Sequence, residues 1–413
     1  MSEAESARAA ARYNVRPLLP GPEDGLRETA LSLGIAAHQL AALARHGAVE
    51  ALAVEGLRPD QTRVLERAVR DGGGDVLSNR DGDRVLILAP LVTVAELPGR
   101  LHSWSETAGE LGSAISAVLV SRAASPPPLF ARGRRLDVDR RTLVMGVVNV
   151  TPDSFSGDGV GDDAGRAVAL AAEMVAAGAA IIDVGGESTR PGFAALSVDE
   201  ESARVVPVVR GIVAQLDVAV SIDTRKAPVA RAALDEGAHI VNDIWGLRDE
   251  PEMARVVAGR DGPAVVLMHN RRGTDYTDLT RDVAATLRES VAIAIAAGIA
   301  TERLVVDPGF GFGKTPAQNL ELLRRLGQLR ALGRPILVGL SRKSTIGLLT
   351  DGAQPKDRLE GSLALASLAV REGAHIVRAH DVSQTVRAMR VVDAVVRGTP
   401  ESLRDMPRPG VTG

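Results

Sequence analysis

Polar residues suited to acid–base, phosphate and metal chemistry recur in this chain directly after short apolar runs. In chain order they are Asn149 ahead of the segment 151–155; Asp183 ahead of Glu187 and the segment 188–192; Asp223, Thr224, Arg225 and Lys226; Asn242 and Asp243; His269; Asp307; Ser341, Arg342, Lys343 and Ser344; and Arg378, His380 and Asp381. The carboxylates and amides can pair with the donor–acceptor edge of a heterocycle, and the cations can hold an anion such as a phosphate. For any single Asp or Asn, capping of the following helix is an equally good reading. Asp183 and Asp381 read most readily as structural, and Asp243 equally as a cap. That reading fails for Lys343, Arg378 and His380, because a cation at a helix N-terminus opposes the helix dipole. Their presence there points to an anionic ligand.

The runs that carry these residues span 143–150, 180–184, 218–222, 239–244, 264–268, 304–306, 336–340 and 375–379. Continuous Val, Ile and Leu without alternation is the pattern of strands buried on both faces of a parallel sheet. Helical patterns lie between them, at 164–177, 201–216, 229–236, 283–297, 320–332 and 361–372, and Gly178, Gly237, Gly298, Gly333 and Gly373 stand where a left-handed C-terminal cap belongs. Eight βα units in roughly 250–280 residues predict a (β/α)8 barrel, whose site lies at the C-terminal ends of its strands. An open doubly wound sheet is the alternative, but it gathers its polar residues at one switch point. Here they follow nearly every strand.

A chain of 413 residues predicts two or three domains at roughly 150 residues each. Three prolines at 126–128 mark a break. Upstream, 28–45, 59–69 and 101–123 have helical spacing, with Asp60 a candidate cap for a helix starting near Gln61, and 84–89 reads as a strand. We therefore expect a small α/β accessory domain over 1–125, a linker leading into the barrel over 126–139, the barrel over 140–400 and a tail over 401–413. The first domain carries no catalytic constellation.

Composition excludes several function classes. A hydrophobic fraction of 45% supports a large core. A net charge of -3 and an aromatic content of 2% argue against nucleic acid as a partner. With no cysteine there is no disulfide, thiolate metal site or cysteine nucleophile. No apolar run approaches the roughly 20 residues of a membrane span, and the polar start is unlike a secretory signal, so a cytoplasmic protein is expected. The Gly311–Thr315 stretch imitates a phosphate-binding loop, yet Pro308 stands where its first glycine is required. The seven histidines show no paired zinc spacing.

Seven motifs in order resemble the dihydropteroate synthases. They are MGVVNVTPDSFS at 145–156, GGESTRPG at 185–192, SIDT at 221–224, VNDI at 241–244, DPGFGFGK at 307–314, GLSRKS at 339–344 and VRAHDV at 377–382. The similarity covers about 140–395. Two stretches depart from the family pattern: Gly157-Asp158-Gly159 after the first motif, and Arg271 to Tyr276 after Met268-His269. The resemblance implies condensation of (7,8-dihydropterin-6-yl)methyl diphosphate with 4-aminobenzoate, Mg2+ as cofactor, and a homodimer. It further implies a pterin pocket of Asp223, Asn242, Ile244, Met268, Asp307 and Lys343. Diphosphate would meet Asn149 (through Mg2+), Thr189, Arg190, Arg378 and His380. The 4-aminobenzoate would meet Phe155, Thr189, Arg190, Pro191, Lys343 and Ser344. Asp223, Lys343, Arg378 and His380 would be catalytic, and binding would be ordered, pterin diphosphate first. Two other readings are a pterin-dependent methyltransferase working with a cobalamin protein, and a pterin binder without synthase activity.

Overall fold

The computed structural model of the chain describes residues 16–18, 29–36, 39, 50–123, 126–151, 163–187, 196–259 and 262–398. Its first sheet has the order β1-β2-β4-β3, with β1 Arg16–Leu18, β2 Glu50–Glu55, β3 Asp75–Ser78 and β4 Arg84–Ala89. All its pairings are antiparallel. Side chains alternate across it with the period of two that a strand imposes. Leu52, Val54, Val85 and Ile87 pack against the helices Pro59–Arg70, Leu91–His102 and Glu106–Ala123, while Ala51, Ala53, Leu86 and Leu88 pack with Leu33 and Ile35 on the other face. Burial on both faces is why β4 reads as an unbroken apolar run.

Three expectations for this region need correction. The helical pattern over 28–45 is broken: the chain turns after Ser32, and Ile35 bridges Asn79. The pattern over 101–123 is not one helix: the chain turns at Ser103 and Trp104, between Leu91–His102 and Glu106–Ala123. Nor does Asp60 cap its helix. The cap position is Arg58, whose backbone N–H donates to Gln61 Oε1 at 3.0 Å, and Asp60 lies in the first turn, where a negative charge suits the helix dipole. The region docks on the barrel through Arg281 Nε–Glu55 Oε2 at 2.9 Å and through Ala331, which packs into its apolar core.

The hairpin β5 (Leu129–Ala131) and β6 (Arg134–Leu136) precedes eight parallel strands: β7 Leu143–Asn149, β8 Ile181–Gly185, β9 Ala219–Asp223, β10 Ile240–Asp243, β11 Ala264–Met268, β12 Leu304–Asp307, β13 Leu337–Gly339 and β14 Ile376–Ala379. Their order is β12-β11-β10-β9-β8-β7-β14-β13, and a parallel bridge between Val306 and Ile336 joins the two ends. The sheet is therefore a (β/α)8 barrel, with each strand at one of the eight expected runs. The five glycines expected at helix ends all have positive φ, from 62° at Gly333 to 105° at Gly178 and Gly373. The expected helix over 320–332 is instead an α-helix, Pro316–Arg324, followed by a 3-10 stretch, Leu326–Leu332.

Strand alternation sorts the barrel into layers. Val148, Val184, Ile222, Val241, Leu267, Val306 and Val377 point out, against the helices. Met145, Ile181, Ala219, Ile240, Val305 and Ile376 point in and fill the lower interior, which Leu129 and Ala131 of the hairpin close from below. Two residues further along β8, β9, β10, β12 and β14, the same inward positions are Asp183, Ser221, Asn242, Asp307 and Arg378. The interior thus changes from apolar to polar within one turn of the pleat.

Candidate active site at the barrel mouth

The strand registers place the candidate residues side by side. Asn149 lies opposite Gly185, Gly185 opposite Asp223, and Asp223 opposite Asn242; further round, Met268 is level with Asp307 and Gly339 with Arg378. The two glycines leave room between larger neighbours. Arg378 reaches across the interior. Its Nε donates to Asp183 Oδ2 at 2.6 Å and its Nη2 to Asp223 Oδ2 at 2.7 Å. Asn242 Nδ2 also donates to Asp183 Oδ2, at 3.1 Å.

Asp183 is therefore misread as a structural cap. It is 0% exposed and lies on the floor of the site, where it orients both Arg378 and Asn242. Its position inside an apolar run, at inward parity, is the signal in the sequence. Its Oδ1 and the Oγ of Ser221, the residue opposite it in the ladder, are both buried without a hydrogen-bond partner. The other two doubtful acids are structural. Asp243 points outward and accepts from the backbone N–H groups of Trp245 and Leu247 at 2.9 and 2.7 Å. Asp381 forks onto Arg342 at 2.7 and 3.1 Å.

The rim is built by three loops. Lys343 caps the helix Ser344–Leu349 from outside it, and its Nζ lies 4.3 Å from the centre of the Phe312 ring. Asp307 Oδ1 accepts from Gly309 N at 2.7 Å. Gly309 is required here: its φ is +69°, and a Cβ would stand 1.9 Å from the His269 carbonyl oxygen. His380 Nδ1 is 3.0 Å from Ser341 Oγ. Ile244 and Met268 are buried apolar walls, Asn149 is half-buried, and Ser344 is exposed at the rim. Phe155, Thr189, Arg190 and Pro191, assigned to the two long loops, lie outside the described residues, as does the variant 157–159. The base of the second loop is described. There Glu187 and Glu201 both accept from Lys226 Nζ, which ties the loop's first turn to the two units that follow.

Burial dominates the electrostatics. It pushes Asp223 up to about 7; Arg378 opposes this, and the neighbouring charge of Asp183 adds to it. Asp307 is pushed up to about 6 by burial, against the Gly309 N–H and Lys343. Both carboxylates offer two acceptor oxygens to a ligand's N–H groups only when ionised, since protonation turns one oxygen into a donor. Because their values are raised, that capacity is complete only about a unit above pH 7, and it is half lost for Asp223 near 7 and for Asp307 near 6. We expect affinity for a ligand bound through these two groups, measured by calorimetry from pH 8 to 5, to fall on the acid side, reaching roughly tenfold per pH unit for each protonated group. A flat profile over that range would remove both from ligand recognition.

The family profile described as pterin binding enzyme matches residues 145–380. The chain belongs to the dihydropteroate synthase family. It is 46% identical over 261 residues to the dihydropteroate synthase of Bacillus subtilis, covering 63% of this chain and 91% of that protein. With the synthase of Escherichia coli it shares 48% over 275 residues, 65% of this chain and 96% of the other. Among solved structures, the Clostridium difficile synthase determined in the presence of pteroic acid has a TM-score of 0.60 at 47% identity, covering 62% of this chain and 98% of that one. The Yersinia pestis synthase in complex with a sulfonamide drug has a TM-score of 0.62 at 44% identity, covering 65% and 98%. The family match begins at residue 145, so the antiparallel sheet and the helices packed on it lie ahead of it.

Proposed function

We propose that this chain condenses (7,8-dihydropterin-6-yl)methyl diphosphate with 4-aminobenzoate, giving 7,8-dihydropteroate and diphosphate. The observation that supports this most is the convergence of Asp223, Asn242, Asp307 and Arg378 on one barrel mouth in a chain 44–48% identical to known synthases. In the reaction the methyl C–O bond to diphosphate breaks, a C–N bond to the aniline nitrogen forms, and that nitrogen loses a proton. Asn242 and Asp307 suit the amino-pyrimidinone edge of the pterin, and Asp223 its remaining ring N–H. Lys343 suits a ring acceptor, with Ile244 and Met268 as the apolar walls. A mismatched ring would leave these buried groups unpaired, which is a strong basis for selectivity.

The leaving group gains negative charge as it departs, and preorganised cations near it lower the barrier. Arg378 has five N–H donors, two of which Asp183 and Asp223 take, so the guanidinium is held in place with donors to spare for a diphosphate oxygen. His380 stands two residues further on. Departure of diphosphate leaves positive charge on the pterin, which the Asp223 carboxylate beside it would stabilise. In this reading Thr189 and Arg190 contact diphosphate, Phe155 and Pro191 flank the aminobenzoate ring, and Ser344 meets its carboxylate.

For Mg2+ the donor chemistry fits. The Asn149 amide is a hard oxygen donor at the mouth, and Mg2+ is commonly held by one or two protein oxygens together with substrate phosphates. When bound, the ion would neutralise charge on the departing diphosphate. A homodimer accords with exposed apolar side chains on the last helices, among them Leu348 at 68% and Val395 at 80% exposure. No described helix is long and apolar enough to cross a membrane, in keeping with work in the cytoplasm. The decisive experiment supplies both substrates with Mg2+ and measures diphosphate release. Absence of release would overturn the assignment, and demethylation of methyl-tetrahydrofolate in a parallel sample would favour the methyltransferase.

A further inference from the structure

Lys314 closes the DPGFGFGK motif, yet the mechanism above gives it no task. It is 8% exposed. Its Nζ lies 2.9 Å from His269 Nδ1 and donates to the carbonyls of Gly309 and Phe312, both at 3.0 Å. These partners determine the proton positions. Burial pushes His269 down to about 2, helped by the charges of Lys314 and Arg248, so the ring is neutral. Its Nδ1 faces an ammonium and must be the acceptor, so the ring proton sits on Nε2. Lys314 thus bridges the end of β11 to the turn after β12, the same turn whose Gly309 N–H holds Asp307.

The stretch 270–276, where the chain departs from the family pattern, covers this arrangement. Tyr276 OH donates to the Gly313 carbonyl at 2.8 Å, Gln318 Nε2 to the Thr274 carbonyl at 2.9 Å, and the Arg271 guanidinium stacks 4.6 Å over the Tyr276 ring. The stretch therefore buttresses the Lys314 turn from outside.

We propose that Lys314 is a positioning residue for the pterin pocket: it locks the 309–314 turn onto His269 and supplies a buried positive charge that keeps Asp307 ionised for the ligand. The inference rests on the synthase reading for the identity of that ligand. The charged groups around Asp307 are Lys343, Lys314 and Arg378. Those around Lys314 are Asp307, Lys343 and Arg271, with neutral His269 in contact. Of the three cations acting on Asp307, Arg378 is already engaged by two other carboxylates. Burial pushes Lys314 itself down to about 7, so the ammonium is present on the acid side of the range in which Asp307, pushed up to about 6, titrates. Removing the charge raises the pH at which Asp307 loses its proton.

The test uses the full chain and three variants. Lys314→Gln keeps donors but removes the charge, Lys314→Arg keeps the charge, and Asp307→Asn/Lys314→Gln removes the responding group. Titration of the Asp307 carboxylate by 13C NMR in the ligand-free protein is expected to shift up by about one pH unit in Lys314→Gln and to stay near wild type in Lys314→Arg. Binding of dihydropterin methyl diphosphate with Mg2+, measured from pH 5.5 to 8.5, should then weaken by about tenfold near pH 6 in Lys314→Gln and converge with wild type at the alkaline end. The double variant should show no such pH-dependent difference from Asp307→Asn. Equal weakening at every pH, or an unmoved Asp307 titration, overturns the proposal and leaves Lys314 a packing residue. Should Lys314→Gln not fold, NMR titration of the wild-type Lys314 side chain decides, since a neutral amine at pH 6 contradicts the proposal. Failure of the wild-type protein to bind the pterin diphosphate, with the Asp307 shift still observed, would instead refute the synthase reading.

Discussion

Arg378→Met is expected to reduce turnover by about 10²- to 10³-fold and to destabilise the protein as well. The kinetic loss follows from removing a preorganised cation from the departing diphosphate, an effect typically worth about 3 kcal/mol. The stability loss has a separate origin. Asp183 is fully buried and its Oδ2 is held by Arg378 at 2.6 Å. Without the guanidinium, only the Asn242 amide remains as partner to a carboxylate that water cannot reach. Breaking one side of a buried pair costs about 3–5 kcal/mol, which would lower Tm by roughly 10 °C in a domain of this size. The two losses can be separated with Arg378→Met/Asp183→Leu, which removes the fully buried carboxylate and leaves only the partly exposed Asp223 without its guanidinium partner. That variant should recover much of the Tm and none of the turnover. Full activity in Arg378→Met, followed by diphosphate release, would take Arg378 out of the mechanism.

Lys343→Ala is expected to lose at least about a hundredfold in kcat/KM while keeping its fold. Lys343 has helix-capping backbone geometry without using its side chain for the cap, so alanine can hold the same turn. The chemical loss has two parts. A donor to the pterin ring disappears, and so does a cation that lowers the proton affinity of both Asp223 and Asp307. The acid limb of the activity profile should therefore move to higher pH, and turnover should fall at every pH. Circular dichroism and a Tm within a few degrees of wild type would confirm the fold. Wild-type turnover with an unmoved acid limb would remove Lys343 from the site. Lys343→Arg is not a neutral control, since a planar fork replaces a compact ammonium over the Phe312 ring.

The contrast between Asp183 and Asp243 shows what strand ends reveal and what they hide. Each is an acid at or near the end of an apolar run, and each has a plausible capping role when read locally. Asp243 takes that role, accepting from Trp245 and Leu247. Asp183 sits at an odd position of β8 in step with Ile181, whose side chain fills the lower interior, and so it points to the barrel axis. The difference is parity, which is written in the sequence but acquires meaning only once the sheet is known to close. Lys314 was legible as part of a motif and not as a contact. Seven residues beyond Asp307, its ammonium returns to the strand end only because Gly309, Gly311 and Gly313 all adopt positive φ.

Local physics was enough for the eight strands and the glycine caps. Buried parallel strands require continuous apolar runs, and left-handed caps favour glycine, so both leave marks a few residues long. The family motifs, also local, marked the residues proposed to meet the ligands. Pairing across the ring was beyond any such reading. The sharing of Arg378 between Asp183 and Asp223, the antiparallel order of the first sheet and the hairpin beneath the barrel join residues far apart in the chain, and their energies depend on distance and burial. Those quantities exist only after the chain has closed on itself.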